Sequence, residues 1–257
     1  MVTPVILTYN EDPNIESTLS SLNWAQRVVI VDSGSTDRTE EIARSFRNVA
    51  WFARSFDNHR AQWQYGVVGT SITTEYVLAL DADMRTGIGF RQELQVFLDA
   101  AKFLGAWIPF EYRMLGTALP GSIYPAQIRI FRKSEVRIEQ PGHTQVFAVD
   151  EPLYRFRSKL IHEDQKPISR WLNSQAKYAA LEATRIRSNS SPGIKDRLRL
   201  TGVSPAIWGM YAYLRAGGPF ISKPARAYAY ERLIFEAILA RLLANESSPS
   251  HQENGDG

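Results

Sequence analysis

The chain has no cysteine, which excludes disulfides and thiolate metal sites and limits any metal to carboxylate, imidazole or other oxygen ligands. It also lacks an apolar run near the roughly 18 residues that a membrane-spanning helix requires. A strand-like segment begins at Val2, leaving no room for a signal peptide and its charged flank, so the sequence points to the cytoplasm. No Gly-x-Gly-x-x-Gly follows either early strand, which disfavours a dinucleotide fold. Gly116 and Gly121 have the spacing of a phosphate-binding loop, but its lysine is missing and no helix pattern follows. What is present suffices for a sizeable core: 257 residues, 44% of them hydrophobic, allow one large domain or one domain with an appendage.

The formal charge is only +3, but it is unevenly spread. Residues 166–245 carry thirteen basic and four acidic side chains, whereas the first 165 carry seventeen and twenty. Such asymmetry fits an anionic partner for the C-terminal part, either a membrane surface or a charged substrate, or else ordinary solvated helix faces. Nothing points to nucleic acid.

Three strand-like runs end in polar loops. Val2–Leu7 runs into Thr8-Tyr9-Asn10-Glu11, after which Asp12 and Pro13 predict a helix start with Ile15, Leu19 and Leu22 on one face. Arg27–Val31 runs into Asp32-Ser33-Gly34-Ser35-Thr36-Asp37, with a second helix expected from Asp37 and Glu40. After a short strand at Val49–Ala53 and a helix over Asn58–Val68, the apolar run Tyr76–Leu80 stops at Asp81-Ala82-Asp83. Alternating β and α elements imply a parallel sheet, so these three loops should share its carboxyl edge, where open α/β sheets place ligands.

The second half reads differently. A helix over Phe90–Ala101 is followed by strand-like runs at Ala106–Met114, Gln127–Lys133, Val136–Gln140, Gln145–Val149 and Ser158–Ile161, which predict antiparallel or mixed pairing. Helical patterns dominate from Ile168, with a break at Ser188–Gly193 and a final helix over Lys223–Leu243. The expected division is 1–165 as an α/β domain, 166–245 as a basic helical region and 246–257 as a disordered tail. The segment Trp208–Arg215 has the composition of an interfacial element, or of aromatics packed on the rest of the protein.

The chemistry of the loops follows from residue type. Asp81 and Asp83 could supply the one or two carboxylates that Mg²⁺ or Mn²⁺ takes, leaving positions for water and phosphate. Asp32 could accept from a nucleobase or ribose, or could bond its own turn.

Taken in order and spacing, Thr8-Tyr9-Asn10-Glu11, Val31-Asp32-Ser33-Gly34-Ser35-Thr36-Asp37 and Leu80-Asp81-Ala82-Asp83 resemble family 2 glycosyltransferases of the GT-A fold, within them bacterial lipopolysaccharide-core and capsule glucosyltransferases. The resemblance spans roughly residues 2–165 and implies a Rossmann-like mixed sheet flanked by helices, here with a C-terminal helical extension. It implies inverting transfer from a nucleotide sugar, most often a UDP-sugar, to a hydroxyl of a cell-envelope glycolipid or saccharide; with the missing signal peptide and the basic, aromatic C-terminal part, the expected place is the cytoplasm or the inner face of the cytoplasmic membrane. Thr8, Tyr9, Asn10, Glu11, Asp32, Ser33, Gly34, Asp81 and Ala82 would line the donor pocket, with Arg60 and Gln62 presented to the nucleotide. Asp81, Asp83 and His162 would hold Mn²⁺ or Mg²⁺. Related enzymes often carry a His-Glu pair where this chain has His143-Thr144, so the base candidates are, in order, Asp150, Asp164 and His143. A sugar nucleotidyltransferase and a degenerate nucleotide-sugar or membrane-binding scaffold are the alternatives.

Overall fold

The computed structural model describes residues 1–140, 144–220 and 222–245. Two compact units divide the chain, Met1–Pro167 and Ile168–Gly257. The first opens with β1 (Val2–Thr8), α1 (Ile15–Ser20), β2 (Val28–Asp32), α2 (Thr39–Arg44), β3 (Val49–Ala53), α3 (His59–Gln64) and β4 (Tyr76–Asp81). It continues with β5 (Met84–Thr86), α4 (Phe90–Ala100), β6 (Gly105–Ile108), β7 (Phe110–Met114), β8 (Thr117–Ala118) and β9 (Gln127–Arg132), and ends with β10 (Arg137–Glu139), β11 (Val146–Ala148), β12 (Leu153–Arg155) and β13 (Leu160–His162).

Seven strands form a mixed sheet in the order β12-β6-β9-β4-β1-β2-β3. β3, β2, β1 and β4 are parallel, and β9 runs against both β4 and β6. Alternation along each strand builds two apolar layers. Ile6, Ile30, Leu78 and Leu80 face α1, α2 and α4 through Leu19, Ala43 and Phe97, while Val5, Val29, Val31, Val77 and Ala79 face Trp63, Val67 and Phe147. Each fully buried large side chain contributes about 1.5–3 kcal/mol. Gly66, in the π-turn after α3, lies so close to the sheet that a Cβ would meet Val5 Cγ1 at 3.0 Å. The expected mixed α/β architecture is the one observed.

Several boundaries differ from the sequence expectation. α1 starts at Ile15, not at Pro13, because the Glu11 carbonyl first takes the N–H groups of Asn14 and Ile15 in a turn. The run Ala106–Met114 is two strands split at Pro109, which has no N–H for a ladder. β5 was not expected, and it matters most: it pairs with β13, which also pairs with β7, in a second sheet ordered β5-β13-β7-β8.

The second unit comprises α5 (Ile168–Ser188), α6 (Ile194–Leu200), α7 (Ser204–Arg215) and α8 (Ser222–Ala244). One apolar cluster within it is built on Ala179, Ala183, Ile186, Phe235 and Leu239. Beside it lies a buried ion network: Arg199 bonds Glu236 at 2.8 Å and Glu182 at 2.6 Å, and Arg185 bridges Glu182 and Asp196. Among the described residues no helix is long and apolar enough to cross a membrane.

Candidate active site

Strand register decides the site. Thr8 lies opposite Asp32 and Leu7 opposite Asp81, so the loops leaving β1, β2 and β4 emerge at one edge of the sheet. The first two loops are bonded into one surface. Asn10, at φ 55°, donates its N–H to Ser35 Oγ at 2.8 Å and accepts the Thr36 N–H at 2.8 Å, and the Glu11 N–H donates to Thr39 Oγ1 at 2.7 Å. Tyr9 stands exposed at the tip. Gly34 adopts φ +91°, a conformation that a side chain would strain.

Asp32 is the tie between these loops. Its Oδ1 accepts from Thr8 Oγ1 at 3.0 Å and from Ser35 Oγ, and its Oδ2 accepts the N–H groups of Gly34 and Ser35 at 2.9 and 2.8 Å. A carboxylate offers about four acceptor positions, and in this conformation Asp32 spends them all on the loop. Of its two sequence readings, the turn former is the one that this conformation displays. Gln62 is likewise internal. It donates to Ser33 Oγ at 3.0 Å and accepts from Arg54 at 2.6 Å, so it braces the loop from beneath. The Arg60 side chain is exposed, and its N–H donates to Gln140 Oε1 at 3.0 Å.

The acid turn is pinned from three sides. Arg129 donates to Asp81 Oδ2 at 3.1 Å, Thr18 Oγ1 donates to the Ala82 carbonyl at 2.6 Å, and the Glu163 N–H donates to the Asp83 carbonyl at 3.1 Å. The β5–β13 pairing places His162 opposite Met84, and His162 Nε2 comes to 3.5 Å from Asp83 Oδ2. The imidazole stacks on Tyr112 at 4.6 Å between ring centres. Asp83 Oδ1 is buried and has no hydrogen-bond partner.

Behind this turn sits a further cluster. Lys166 Nζ lies 2.8 Å from Glu11 Oε1 and 3.5 Å from Asp164 Oδ2. Asn14 donates to both Glu11 and Asp164, at 2.9 and 3.0 Å. Two carboxylates, Glu11 and Asp164, thus share one ammonium, and Asp83 adds its charge nearby. Burial, with the Asp83 charge added and Lys166 opposing, pushes Glu11 up to about 7. Burial also raises Asp83, helped by Asp81 and Asp164 and opposed by His162 and Lys166. Lys166 moves upward although desolvation opposes its charge, because Glu11, Asp83 and Asp164 surround it. Asp81 goes the other way: desolvation in the cleft favours its neutral form, but Arg129, aided by His162 and His59, outweighs this and holds the carboxyl below its usual range.

The structure does not gather all the expected residues. Asp150 sits in an exposed ion pair with Arg137 at 3.0 Å. Pro152, two residues on, bonds Leu104, and Leu104 bonds Arg132, which pairs with Tyr76 at the start of β4. Asp150 therefore stands at the opposite edge of the sheet from Asp81, which corrects its place at the head of the base candidates. Asp164 joins the cluster, and His143 lies outside the described residues.

Among the described residues no three His, Cys, Asp or Glu side chains are preassembled as a metal site. The donor types nevertheless fit a hard or borderline cation: two carboxylates and an imidazole, with Asp83 Oδ1 unspent. Arg129, Lys166 and Asn14 were not anticipated. A signal existed for the first: Gln127–Arg132 places an arginine, only 5% exposed, between Ile128 and Ile130 in a buried strand. Such an arginine needs an acid partner.

Residues 3–141, more than half of the chain, match the family described as glycosyl transferase family 2. The chain belongs to that family. No curated protein matches this family 2 glycosyltransferase. Among solved structures it is similar to S. aureus TarS residues 1–349 in complex with UDP-GlcNAc, at 15% identity and a TM-score of 0.49, over 94% of this chain and 90% of that one. It is similar over the same shares to that segment in complex with UDP, at 14% identity and a TM-score of 0.48. The likeness to the longer TarS chain, at 14% identity and a TM-score of 0.48, covers 94% of this chain and 55% of that one.

Proposed function

We propose that this family 2 member is an inverting, metal-dependent glycosyltransferase moving a sugar from a nucleotide donor, UDP-linked, to a hydroxyl of a cell-envelope glycolipid or polysaccharide precursor of the lipopolysaccharide type. The observation that carries the reading is the unpartnered, buried Oδ1 of Asp83 in a cluster with more carboxylates than cations, at the edge where three loops meet. Buried acids that repel one another are costly unless a cation joins them.

In this reading Asp81, Asp83 and His162 hold Mg²⁺ or Mn²⁺, which when bound acts as a Lewis acid on the departing diphosphate. Thr8, Tyr9, Asn10, Glu11, Ser33, Gly34 and Ala82 form the donor wall, Asp32 holds the base or ribose, Gln62 keeps the loop in shape, and Arg60 is available to the nucleotide from the exposed end of α3. Asp164 takes the proton of the acceptor hydroxyl as the anomeric carbon is attacked. Residues 1–165 act as the catalytic domain, and 166–245 as a basic region that holds the enzyme at the anionic inner face of the membrane.

The test is isothermal titration of UDP, GDP and dTDP with and without Mn²⁺, on the natural chain and on Asp83→Ala. Metal-dependent UDP binding that disappears in the variant is the expected result. Binding indifferent to both metal and Asp83 would leave a nucleotide-binding scaffold as the better description.

A further inference from the structure

Between α7 and α8 the second unit carries an open groove of about 420 Å³, lined by Ala206, Gly209, Met210, Tyr213, Ala229, Tyr230 and Leu233 with one charged side chain, Arg226. The groove exists because Gly209 lets the helices close: a Cβ there would meet Leu233 at 3.2 Å. Met210, Tyr230 and Leu233 remain largely exposed in it. On α8, Lys223, Arg226, Tyr230 and Leu233 follow at helical spacing, so one stripe is cationic at its start and apolar after one turn. Neither the Lys223 nor the Arg226 side chain is in an ion pair or hydrogen bond among the described residues. The turn that joins the two helices adds Phe220, 94% exposed.

An apolar trough whose cations gather at one end matches an amphiphile with an anionic head. A bare metabolite would not use the trough, and a neutral chain would not use the cations. We propose that this groove seats one hydrocarbon chain of an anionic, phosphate-bearing lipid, with the phosphate held by Arg226 and Lys223. The inference deepens the membrane part of the proposed function. It requires no sugar transfer, so lipid binding that fails while turnover persists, and the reverse, are separable outcomes.

The experiment is cosedimentation of the full chain with phosphatidylcholine vesicles, with and without phosphatidylglycerol, at low and high salt. A second arm titrates dodecyl phosphate, below its micelle concentration, and inorganic phosphate, following the Met210 methyl resonance by NMR. Binding is expected only with phosphatidylglycerol, and the methyl should shift with dodecyl phosphate but not with inorganic phosphate. Arg226→Gln should weaken vesicle binding about fivefold, the effect of one cation near an anionic surface. Ala206→Trp, which fills the groove and leaves every charge in place, should weaken it at least as much with helix content unchanged. Lys177→Gln, a charge removed from the exposed face of α5, serves as the control and should cost less than about twofold. Equal losses from Lys177→Gln and Arg226→Gln, or full binding by Ala206→Trp, would reduce the attraction to diffuse charge and overturn the groove. A methyl shift with inorganic phosphate alone would assign the cations to a free anion instead.

Discussion

The two units bury charge for different ends. In the first, two apolar layers supply the core, and a cluster of acids gathers at one sheet edge, where Asp83 keeps an oxygen without a partner. In the second, charge runs through the interior: Glu236 is 0% exposed and is met by Arg199 and Arg232. Carboxylates paired with arginines where they are buried serve specificity of packing, whereas a carboxylate oxygen left without a partner at a sheet edge serves a ligand. The contrast can be tested by removing one acid from each unit.

The largest effect is expected at the edge. Asp164→Asn should lower kcat by about 10²–10⁴-fold, the usual loss of a general base, while the melting temperature stays unchanged or rises because one of three crowded carboxylates loses its charge. The measurement is single-turnover transfer alongside calorimetry. A stability loss equal to that of a buried ion pair would make Asp164 a structural acid and erase the contrast. In the second unit the order reverses. Glu236→Ala strips Arg199 and Arg232 of their shared partner inside the protein and should cost about 3–5 kcal/mol. Hydrogen exchange should show that loss in α5 and α8 and leave β4 protected.

How much of this was legible follows the same division. The ends of β1, β2 and β4 could be read because a parallel strand buried on both faces is a continuous apolar run that stops abruptly, and three such stops in register define an edge. The apolar pattern does not place what lies across from that edge: His162 enters only through the family resemblance, and the buried Arg129 signals an acid partner without saying which. His162 reaches Asp83 only through β5, three residues long and without periodicity, and Arg129 reaches Asp81 through an antiparallel pairing with no local signature. The second unit was harder still. α6 reads as a run of alternating charges, Lys195-Asp196-Arg197, and only its partner Arg185, on α5, turns one of them, Asp196, inward. A buried ionic contact is invisible to hydrophobic patterning.

A smaller effect sharpens the case within the first unit. Glu93 caps the turn after β12, accepting the N–H groups of Arg157 and Ser158 at 2.8 and 2.7 Å. Partial burial opposes its charge, but these bonds outweigh that and hold the carboxyl below its ordinary value of 4.5. A lowered native pKa means that the unfolded chain binds the proton more readily, so the stabilisation is complete above the ordinary value and fades as pH falls through the native one. Glu93→Ala should therefore cost about 1 kcal/mol near neutrality, the range for bonds at a partly solvated site. The cost should vanish in strong acid. Denaturant melts at pH 7 and pH 3 give the comparison.

The smallest expected effect is the most telling for the site. In the sequence Asp150 ranks ahead of Asp164, both being acids shortly after predicted strands, and the fold sends them to opposite edges. Asp150 lies in solvent against Arg137, where the guanidinium hydrogen bond, then its charge, holds the carboxyl below the usual range. A surface ion pair of that kind carries little stability. Asp150→Asn should change kcat by less than about twofold, far below the loss expected of a base. A large loss would mean that an acceptor reaches across to the far edge, and the carboxyl ends of β1, β2 and β4 would then no longer bound the active site. A null result confines the chemistry to residues that the second sheet, through β5 and β13, delivers to the first.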